Sequence, residues 1–227
     1  MNLKILNELD RILKRNPALV TDTASLCQVV NGIFNIELDK LPTMSSIYEL
    51  SDIIDNAVLA NYFSKVWQPE TKKYKYSGLS IIDEVNAMNP ESVIDIGCGY
   101  NEFKGKINNL TGIDPYNTRA DIMVPLLEFD TEQTFDVAIC LGSINFGSSD
   151  KIIAELTAAV NLVKGGGLMY FRVNPGEQHI ALESTWINFY DWDPVFISNM
   201  ATLLDCELLA LRRDLNRLYF VLRKRKI

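Results

Sequence analysis

An acidic residue and two closely spaced glycines near the middle of the chain have the types and spacing of a nucleotide-binding turn. The run 93–99 reads Val-Ile-Asp-Ile-Gly-Cys-Gly, so Asp95 and the two glycines follow strand-forming residues. Gly97 and Gly99 allow a tight turn and a close approach of backbone to a ligand. Asp114 comes 17 residues after Gly97, where an acidic side chain meets the ribose hydroxyls in a nucleotide-binding βαβ unit. The spacing therefore predicts a nucleotide-type cofactor at this turn.

The turn needs a parallel sheet to hold it, and the flanking sequence predicts one. Val93, Ile94 and Ile96 suit a strand that is buried on both faces. Residues 101–107 are expected to begin a helix whose unpaired N–H groups face the turn, and a second strand is expected to end at Ile113. Together these segments predict a βαβ unit whose carboxyl edge carries the glycine turn and the ribose acid.

Five further strands are predicted after this unit. They are expected at residues 120–122, 135–142, 168–173, 206–212 and 217–223. Glycines 165–167 are expected to form a turn that ends the helix before the strand at 168–173. The link 214–216 is too short for a crossover, so the last two strands are predicted to pair antiparallel.

These motifs and their order resemble the class I S-adenosylmethionine-dependent methyltransferases over residues 77–224. That family carries a hydrophobic strand, an acidic residue and Gly-x-Gly-x-Gly; here Asn101 stands in place of the third glycine, and Asn tolerates left-handed backbone better than most residues. The Phe-Asp-Val opening at 135–137 and the terminal antiparallel pair are further marks of the family. Residues 142–147 and 172–176 more faintly resemble uncharacterised methyltransferases of tailed bacteriophages.

The resemblance implies an α/β fold with a Rossmann-like, seven-stranded methyltransferase sheet, mostly parallel with a terminal antiparallel hairpin. It also implies S-adenosyl-L-methionine as the cofactor. The implied cofactor contacts are Tyr76, Asp95, Gly97, Cys98, Gly99, Asn101, Asp114, Pro115, Asp121, Ile122, Leu141 and Gly142. Asp121 would accept a hydrogen bond from the adenine amine, and Ile122 would offer its N–H and an apolar face; a loop aspartate that caps a turn is the alternative. Lys75, Tyr76 or Ser77 would contact the methionine carboxylate, and a solvated loop is the alternative there.

The methyl acceptor is expected beside the loops that follow the fourth and fifth predicted strands. Ser143, Asn145, Asn174 and His179 lie in these loops. His179 is the only histidine of the chain, and its ordinary pKa suits proton removal near neutrality, so it is a candidate general base. A surface histidine is the alternative. Asn145 and Asn174 can orient an acceptor but cannot act as strong bases.

Two sequence motifs of DNA methyltransferases are absent, and their absence limits the methyl acceptors that we expect. The chain has no Asn/Asp-Pro-Pro-Tyr/Phe motif after the fourth predicted strand, which argues against amino methylation of DNA bases, and no Pro-Cys dipeptide, which argues against cytosine C5 methylation. Cys98 and Cys140 have no basic neighbour in sequence, so burial is expected rather than a nucleophilic role. We therefore expect methyl transfer to a small molecule or a protein side chain. Two alternatives stay open: a cofactor-binding or interaction module without turnover, and an NAD(P)-linked oxidoreductase, which the missing third glycine and the terminal hairpin disfavour.

Composition and charge agree with this interpretation. The 227 residues are 48% hydrophobic and carry a formal net charge of −7, which disfavours nonspecific nucleic-acid binding. Scattered cysteines without metal spacing predict a reducing, cytoplasmic setting, and neither a membrane-spanning run nor a signal peptide is expected. Apolar residues at helical spacing predict an N-terminal helical extension or lid over 1–70, ahead of a methyltransferase domain over 71–227. The oligomeric state is left open.

Overall fold

The computed structural model describes residues 1–42, 46–176 and 182–226. These residues divide into two compact units, 1–67 with 182–188 and 68–176 with 189–226, and each unit is described by itself. The helices predicted over the first 70 residues fall in the smaller unit, whereas the return of 182–188 to that unit was not predicted. Within the described ranges, no helix is long and apolar enough to cross a bilayer.

The described part of the smaller unit contains three α-helices. They are α1 (Leu3–Arg15), α2 (Thr23–Phe34) and α3 (Ile47–Asn61), the last followed by a π-helical turn at Tyr62–Val66. The side chains of Asn2, Asp22 and Ser46 each accept a hydrogen bond from a first-turn N–H and so begin the three helices. Trp186 ties the segment 182–188 to this unit, because its Nε1 donates to the Ile33 carbonyl (3.2 Å) and its own carbonyl accepts from Asn2 (2.7 Å).

The larger unit contains a six-stranded sheet. Its strands are β1 (Val93–Ile96), β2 (Leu110–Ile113), β3 (Phe135–Leu141), β4 (Val163–Val173), β5 (Cys206–Asp214) and β6 (Arg217–Lys224). The order across the sheet is β2-β1-β3-β4-β6-β5. The strands β1 to β4 are parallel, and β6 pairs antiparallel with β4 and β5. The mostly parallel sheet and the terminal antiparallel hairpin are therefore confirmed.

The predicted count of seven strands is wrong for the described part of the chain. Residues 120–122 form only an isolated parallel bridge between Ile122 and Ile113 at the edge of β2. The carboxylate of Asp121 folds back onto this edge and accepts the Gly112 N–H at 2.7 Å. The chain then leaves the edge at Pro125 and enters a single 3-10 turn, Leu126–Glu128. The segment between this bridge and Pro125 is therefore too short to form the strand that was predicted at 120–122.

The helix predicted over 101–107 is also wrong. Successive turns connect β1 to β2, with one bridge between Lys104 and Ile107. Asn101 (φ 55°) and Gly105 (φ 74°) have left-handed backbone, which interrupts a right-handed helix. The Asn86 side chain holds these turns by donating to the Lys106 carbonyl at 2.8 Å. The turn that follows β1 therefore has no helix N-terminus behind it.

The glycines at 165–167 lie inside a strand and not in the predicted turn. β4 already begins at Val163, and its register with β3 shifts between Phe135 and Val137. Gly166 has a φ of 88°, and a Cβ on Gly167 would come within 2.7 Å of the Asp136 carbonyl oxygen. The glycines thus form a bulge that lets the strand begin early.

Helices cover both faces of the sheet. α4 (Ile81–Ala87) packs on one face through Ile81 and Val85, over an apolar cluster that includes Tyr170 and Tyr219. α5 (Ser149–Asn161) and α6 (Pro194–Leu203) pack on the other face. Asp193 and the proline after it begin α6, because the Asp193 carboxylate accepts two first-turn N–H groups. The carboxyl ends of β1 to β4 then form one edge of this three-layered unit.

Candidate functional site

The glycine turn after β1 has the left-handed backbone that the sequence predicted. Gly97, Gly99 and Asn101 have φ angles of 69°, 53° and 55°, and the Asn101 side chain donates to the Arg119 carbonyl at 3.0 Å. Gly97 is required for packing: a Cβ there would overlap the Cβ of Ser143, in the loop after β3. The turns after β1 and β3 are therefore in direct contact at the carboxyl edge of the sheet.

Asp114 lies beside the glycine turn, as its spacing predicted. One carboxylate oxygen accepts the Gly99 N–H at 2.9 Å, and the other accepts the N–H groups of Tyr116 (2.8 Å) and Asn117 (2.9 Å). A carboxylate offers about four acceptor positions, so these amides leave room for roughly one more donor. Pro115 follows Asp114 in the same turn and is half-buried. The three amides thus fix the Asp114 carboxylate beside the glycine turn.

Asp95 is the second acidic side chain at the turn. It is only 3% exposed, and no residue in the described ranges donates a hydrogen bond to its carboxyl group. The pKa of Asp95 is raised to about 7, chiefly by burial and then by the negative charge of Asp114, while Arg172 opposes both effects. A buried carboxyl group with this surrounding is stabilised in its charged form by a cationic ligand.

The predicted adenine contacts lie at the edge of β2. The Asp121 carboxylate accepts the Gly112 N–H and the Lys104 ammonium (2.8 Å). Partial burial raises the pKa of Asp121, but these two donors outweigh it and the net pKa is lowered. The Ile122 N–H, which was predicted to face adenine, donates to the Gly112 carbonyl at 3.2 Å and so has an acceptor within the chain. The Ile122 side chain is 42% exposed and keeps the apolar surface that was predicted.

The segment predicted to reach the methionine carboxylate is held by a residue that the sequence reading missed. The Asp214 carboxylate, at the end of β5, accepts the N–H groups of Lys75 (2.9 Å), Tyr76 (2.9 Å) and Ser77 (2.7 Å), and the Ser77 hydroxyl (2.8 Å). The Tyr76 ring stacks on Tyr219 of β6. The structure therefore places Tyr76 against β6 and not at the glycine turn, and Ser77 has no hydroxyl proton left for a ligand.

Arg172 is a second residue that the sequence reading missed. It is buried near the end of β4, where its guanidinium donates to the carbonyls of Ser77 and Leu141, both at 2.8 Å. The same group lies 4.2 Å from the ring centre of Tyr74. Leu141 and Gly142 (φ 111°) thus lie beside a cation at the end of β3. An arginine within the apolar run 168–173 was the available signal.

The two predicted catalytic asparagines hold loops together. The Asn145 side-chain oxygen accepts the Asn174 N–H at 2.8 Å, and the Asn145 carbonyl accepts the Tyr190 N–H at 2.8 Å. Asn145 is 1% exposed and Asn174 is 4% exposed. The structure brings these two residues together, but the Asn145 oxygen is already used and is not available to an acceptor. The predicted base, His179, lies outside the described residues.

The cysteines near the site have no nucleophilic character. Burial raises the pKa of Cys98, which Asp95 and Asp114 raise further. Burial also raises the pKa of Cys140 well above its usual value. Both observations agree with the predicted role of buried filler. Among the described residues, no group of three or more His, Cys, Asp or Glu side chains could hold a metal ion.

Comparison with known proteins identifies the fold. No protein-family model and no curated protein sequence matches the chain. The 1,6-didemethyltoxoflavin-N1-methyltransferase of Burkholderia thailandensis, solved with 1,6-didemethyltoxoflavin and S-adenosylhomocysteine, is 16% identical with a TM-score of 0.58 over 82% of this chain and 93% of that chain. The S-adenosylhomocysteine-bound magnesium protoporphyrin IX methyltransferase of Synechocystis PCC 6803 is 11% identical, with a TM-score of 0.54 over 75% and 100% of the two chains. An S-adenosylmethionine-dependent methyltransferase of Clostridium acetobutylicum is 13% identical, with a TM-score of 0.52 over 79% and 99%. The chain has the fold of this class of methyltransferases.

Proposed function

We propose that the protein is an S-adenosylmethionine-dependent methyltransferase that acts on a small molecule or a protein side chain. The observation that carries the proposal is the pair of acidic side chains at the glycine turn. Three amide N–H groups fix the Asp114 carboxylate beside the glycine turn, and Asp95 is buried without a hydrogen-bond donor among the described residues. A cofactor with a ribose at one point and an ammonium group at another fits these two carboxyl groups.

The chain's own residues would bind and orient the cofactor. When bound, S-adenosylmethionine supplies a methyl group on a sulfonium, and its departure leaves S-adenosylhomocysteine. Asp114 would accept a ribose hydroxyl, Asp95 would face the ammonium group, and the exposed side chain of Ile122 would pack on the adenine. The protein's task is then alignment of the acceptor with the methyl group. A base is needed only where the acceptor must lose a proton, and His179 is proposed for that step.

The same turn disfavours an NAD(P)-linked reaction. A dinucleotide places its pyrophosphate on the unpaired N–H groups of a helix that follows the glycine turn. Here turns replace that helix, and the N–H groups of Gly97 and Cys98 donate to the Ile113 carbonyl at 2.8 and 3.0 Å. The Gly99 N–H donates to Asp114. The N–H groups of Gly97, Cys98 and Gly99 are therefore not left for a phosphate, and the two carboxyl groups would repel it.

Calorimetry on the full chain tests this proposal. S-adenosylmethionine and S-adenosylhomocysteine should bind, and NAD and NADP should not. Asp95→Asn should weaken S-adenosylmethionine binding at pH 8 by about tenfold or more, the scale of a charge-assisted hydrogen bond. Asp205→Asn is the matched control, because Asp205 is an exposed residue at the other edge of the sheet, with left-handed backbone that Asn tolerates.

Turnover is tested separately with methyl-labelled cofactor and a cell extract. Label transfer that disappears with the Asp95→Asn variant would support a methyltransferase and reveal the acceptor class. Binding without any label transfer would support the module without turnover. NAD binding with no heat from either sulfur nucleotide would overturn the proposal.

A further inference from the structure

Two buried arginines lie next to each other on the face of the sheet that α4 covers. Arg172 follows Tyr170 by two residues in β4, and Arg217 precedes Tyr219 by two residues in β6. Both tyrosines belong to the apolar cluster under α4, and side chains two residues apart share a strand face. The antiparallel pairing brings the start of β6 to the end of β4. Both guanidinium groups therefore lie at the carboxyl edge of the sheet.

The two arginines differ in their partners. Arg172 donates to two carbonyls and stacks on Tyr74, so contacts within the protein account for its guanidinium group. Arg217 is 7% exposed, and its Nη1 is shielded from solvent without an acceptor. Within the described ranges no residue accepts a hydrogen bond from any of its five donors. A guanidinium N–H that is shielded from solvent without an acceptor is unfavourable, so Nη1 calls for an acceptor from outside the chain.

The carboxylate that lies opposite Arg217 in the sheet does not provide this acceptor. Asp214 is opposite Arg217 in the register of β5 and β6. Its two oxygens already accept four hydrogen bonds from the segment 75–77, which fills about all the acceptor positions of a carboxylate. Burial lowers the pKa of Arg172, and the like charge of Arg217 also lowers it. An added anion would relieve both the missing acceptor and this repulsion.

We propose that Arg217 is the anion-binding residue of a subsite that takes a carboxylate or a phosphate group. Arginine recognises both groups through paired N–H donors. The group can come from the methyl acceptor or from the amino-acid end of the cofactor. Three strand spacings separate β6 from β1, roughly 14 Å, and this distance from the glycine turn favours the acceptor. The assignment to the acceptor rests on the proposed function, whereas the anion subsite itself does not.

Thermal unfolding of the full chain in phosphate or malonate, against chloride at matched ionic strength, tests the subsite. The wild-type protein should unfold at higher temperature in either anion, and Arg217→Met should lose this shift. Without anion, Arg217→Met should unfold at the same temperature as wild type or higher, because an apolar side chain replaces an unpaired buried charge. Arg217→Lys should keep a reduced shift. Arg223→Met, on the same strand but half exposed and paired with Glu207, is the matched control.

Binding of S-adenosylhomocysteine and of methylthioadenosine, which lacks the amino-acid end, distinguishes the two sources. If the acceptor supplies the anion, Arg217→Met should bind both nucleosides within about twofold of wild type, and the anion shift should persist in cofactor-saturated wild-type protein. If the cofactor supplies it, only S-adenosylhomocysteine should weaken, by about tenfold or more. An Arg217→Met protein that keeps both the anion shift and the cofactor affinity would overturn the proposal. Failure of all cofactor binding with the anion shift intact would overturn the proposed function alone.

Discussion

The Cβ of Ser143 occupies the space that a side chain on Gly97 would need. Gly97 belongs to the turn after β1 and Ser143 to the turn after β3. Gly97 also has a φ of 69°, which L side chains rarely adopt. Its glycine identity therefore has two causes inside the protein, backbone conformation and contact with the neighbouring turn, before any ligand is considered.

Gly97→Ala should lower the free energy of unfolding by roughly 2–5 kcal/mol. Overpacking against Ser143 contributes about 1–3 kcal/mol of this, and left-handed backbone contributes about 1–2 kcal/mol. Urea unfolding followed by circular dichroism measures the loss. Gly105→Ala is the matched control: its φ is 74°, and nothing lies within 4 Å of the added Cβ. It should show the backbone cost alone.

The double variant Gly97→Ala with Ser143→Gly isolates the packing part. Removal of the Ser143 Cβ should recover stability until the loss approaches that of Gly105→Ala. A double variant as unstable as Gly97→Ala alone would mean that the contact between the two turns contributes nothing, and that backbone strain explains the requirement for glycine.

The sequence allowed prediction of features that a few neighbouring residues determine. The acidic residue and glycines at 95–99, the left-handed Asn101 and the terminal hairpin follow from local backbone preferences and link length. The hydrogen bonds between Asp214 and Ser77 join residues 137 positions apart in the chain. They depend on how β5 lies beside the segment that precedes α4, and no local sequence pattern predicts that placement. The absence of the predicted helix at 101–107 could not be predicted for the same reason, because the Asn86 side chain, at the end of α4, holds the turns that replace it.

Asp214→Asn should lower the free energy of unfolding at pH 7 by roughly 3–5 kcal/mol, the range for disrupting a buried charged network. Burial raises the pKa of Asp214, but the hydrogen bonds from Ser77, Tyr76 and Lys75 outweigh it and the net pKa is lowered. A carboxyl group with a lowered pKa stabilises the fold above its unfolded pKa of about 3.9. The difference between wild type and variant should therefore shrink as pH falls below about 4.

Ser77→Ala separates the charge of Asp214 from its single side-chain partner. The variant removes one hydroxyl donor and leaves the three amide donors in place, so it should cost only about 1–3 kcal/mol. Equal losses from Ser77→Ala and Asp214→Asn at pH 7 would show that the amide hydrogen bonds do not stabilise the fold.

Asp95 should make the stability and the ligand affinity depend on pH in opposite directions. Its pKa of about 7 in the folded chain exceeds the unfolded value of about 3.9. The folded state then binds more protons between these values, so the contribution of Asp95 to stability falls as pH rises from about 4 to 7. Asp95→Asn should accordingly be more stable than wild type at pH 8, with little difference at pH 4.

Affinity for S-adenosylhomocysteine should rise between pH 6 and pH 8, because ionised Asp95 attracts the ammonium group of the ligand. Calorimetry at matched ionic strength measures this, with methylthioadenosine as the ligand that lacks the ammonium group and should show no rise. A pH profile that Asp95→Asn leaves unchanged would remove Asp95 from the binding site.

We expect that substitution of Asn145 will lower the free energy of unfolding, whether or not the residue also contributes to turnover. Its side-chain oxygen accepts the Asn174 N–H at 2.8 Å, and the residue is 1% exposed. Asn145→Ala leaves a buried N–H without an acceptor and should cost about 1–3 kcal/mol in urea unfolding. Asn145→Asp keeps the acceptor oxygen and removes the amide donors, but it buries a carboxyl group, so its stability should approach that of wild type only at a pH low enough to protonate that group. If Asn145 also orients the methyl acceptor through its amide nitrogen, Asn145→Asp should fold, bind S-adenosylhomocysteine normally and yet lose turnover. Full turnover by the folded Asn145→Asp variant would leave Asn145 with the structural role alone.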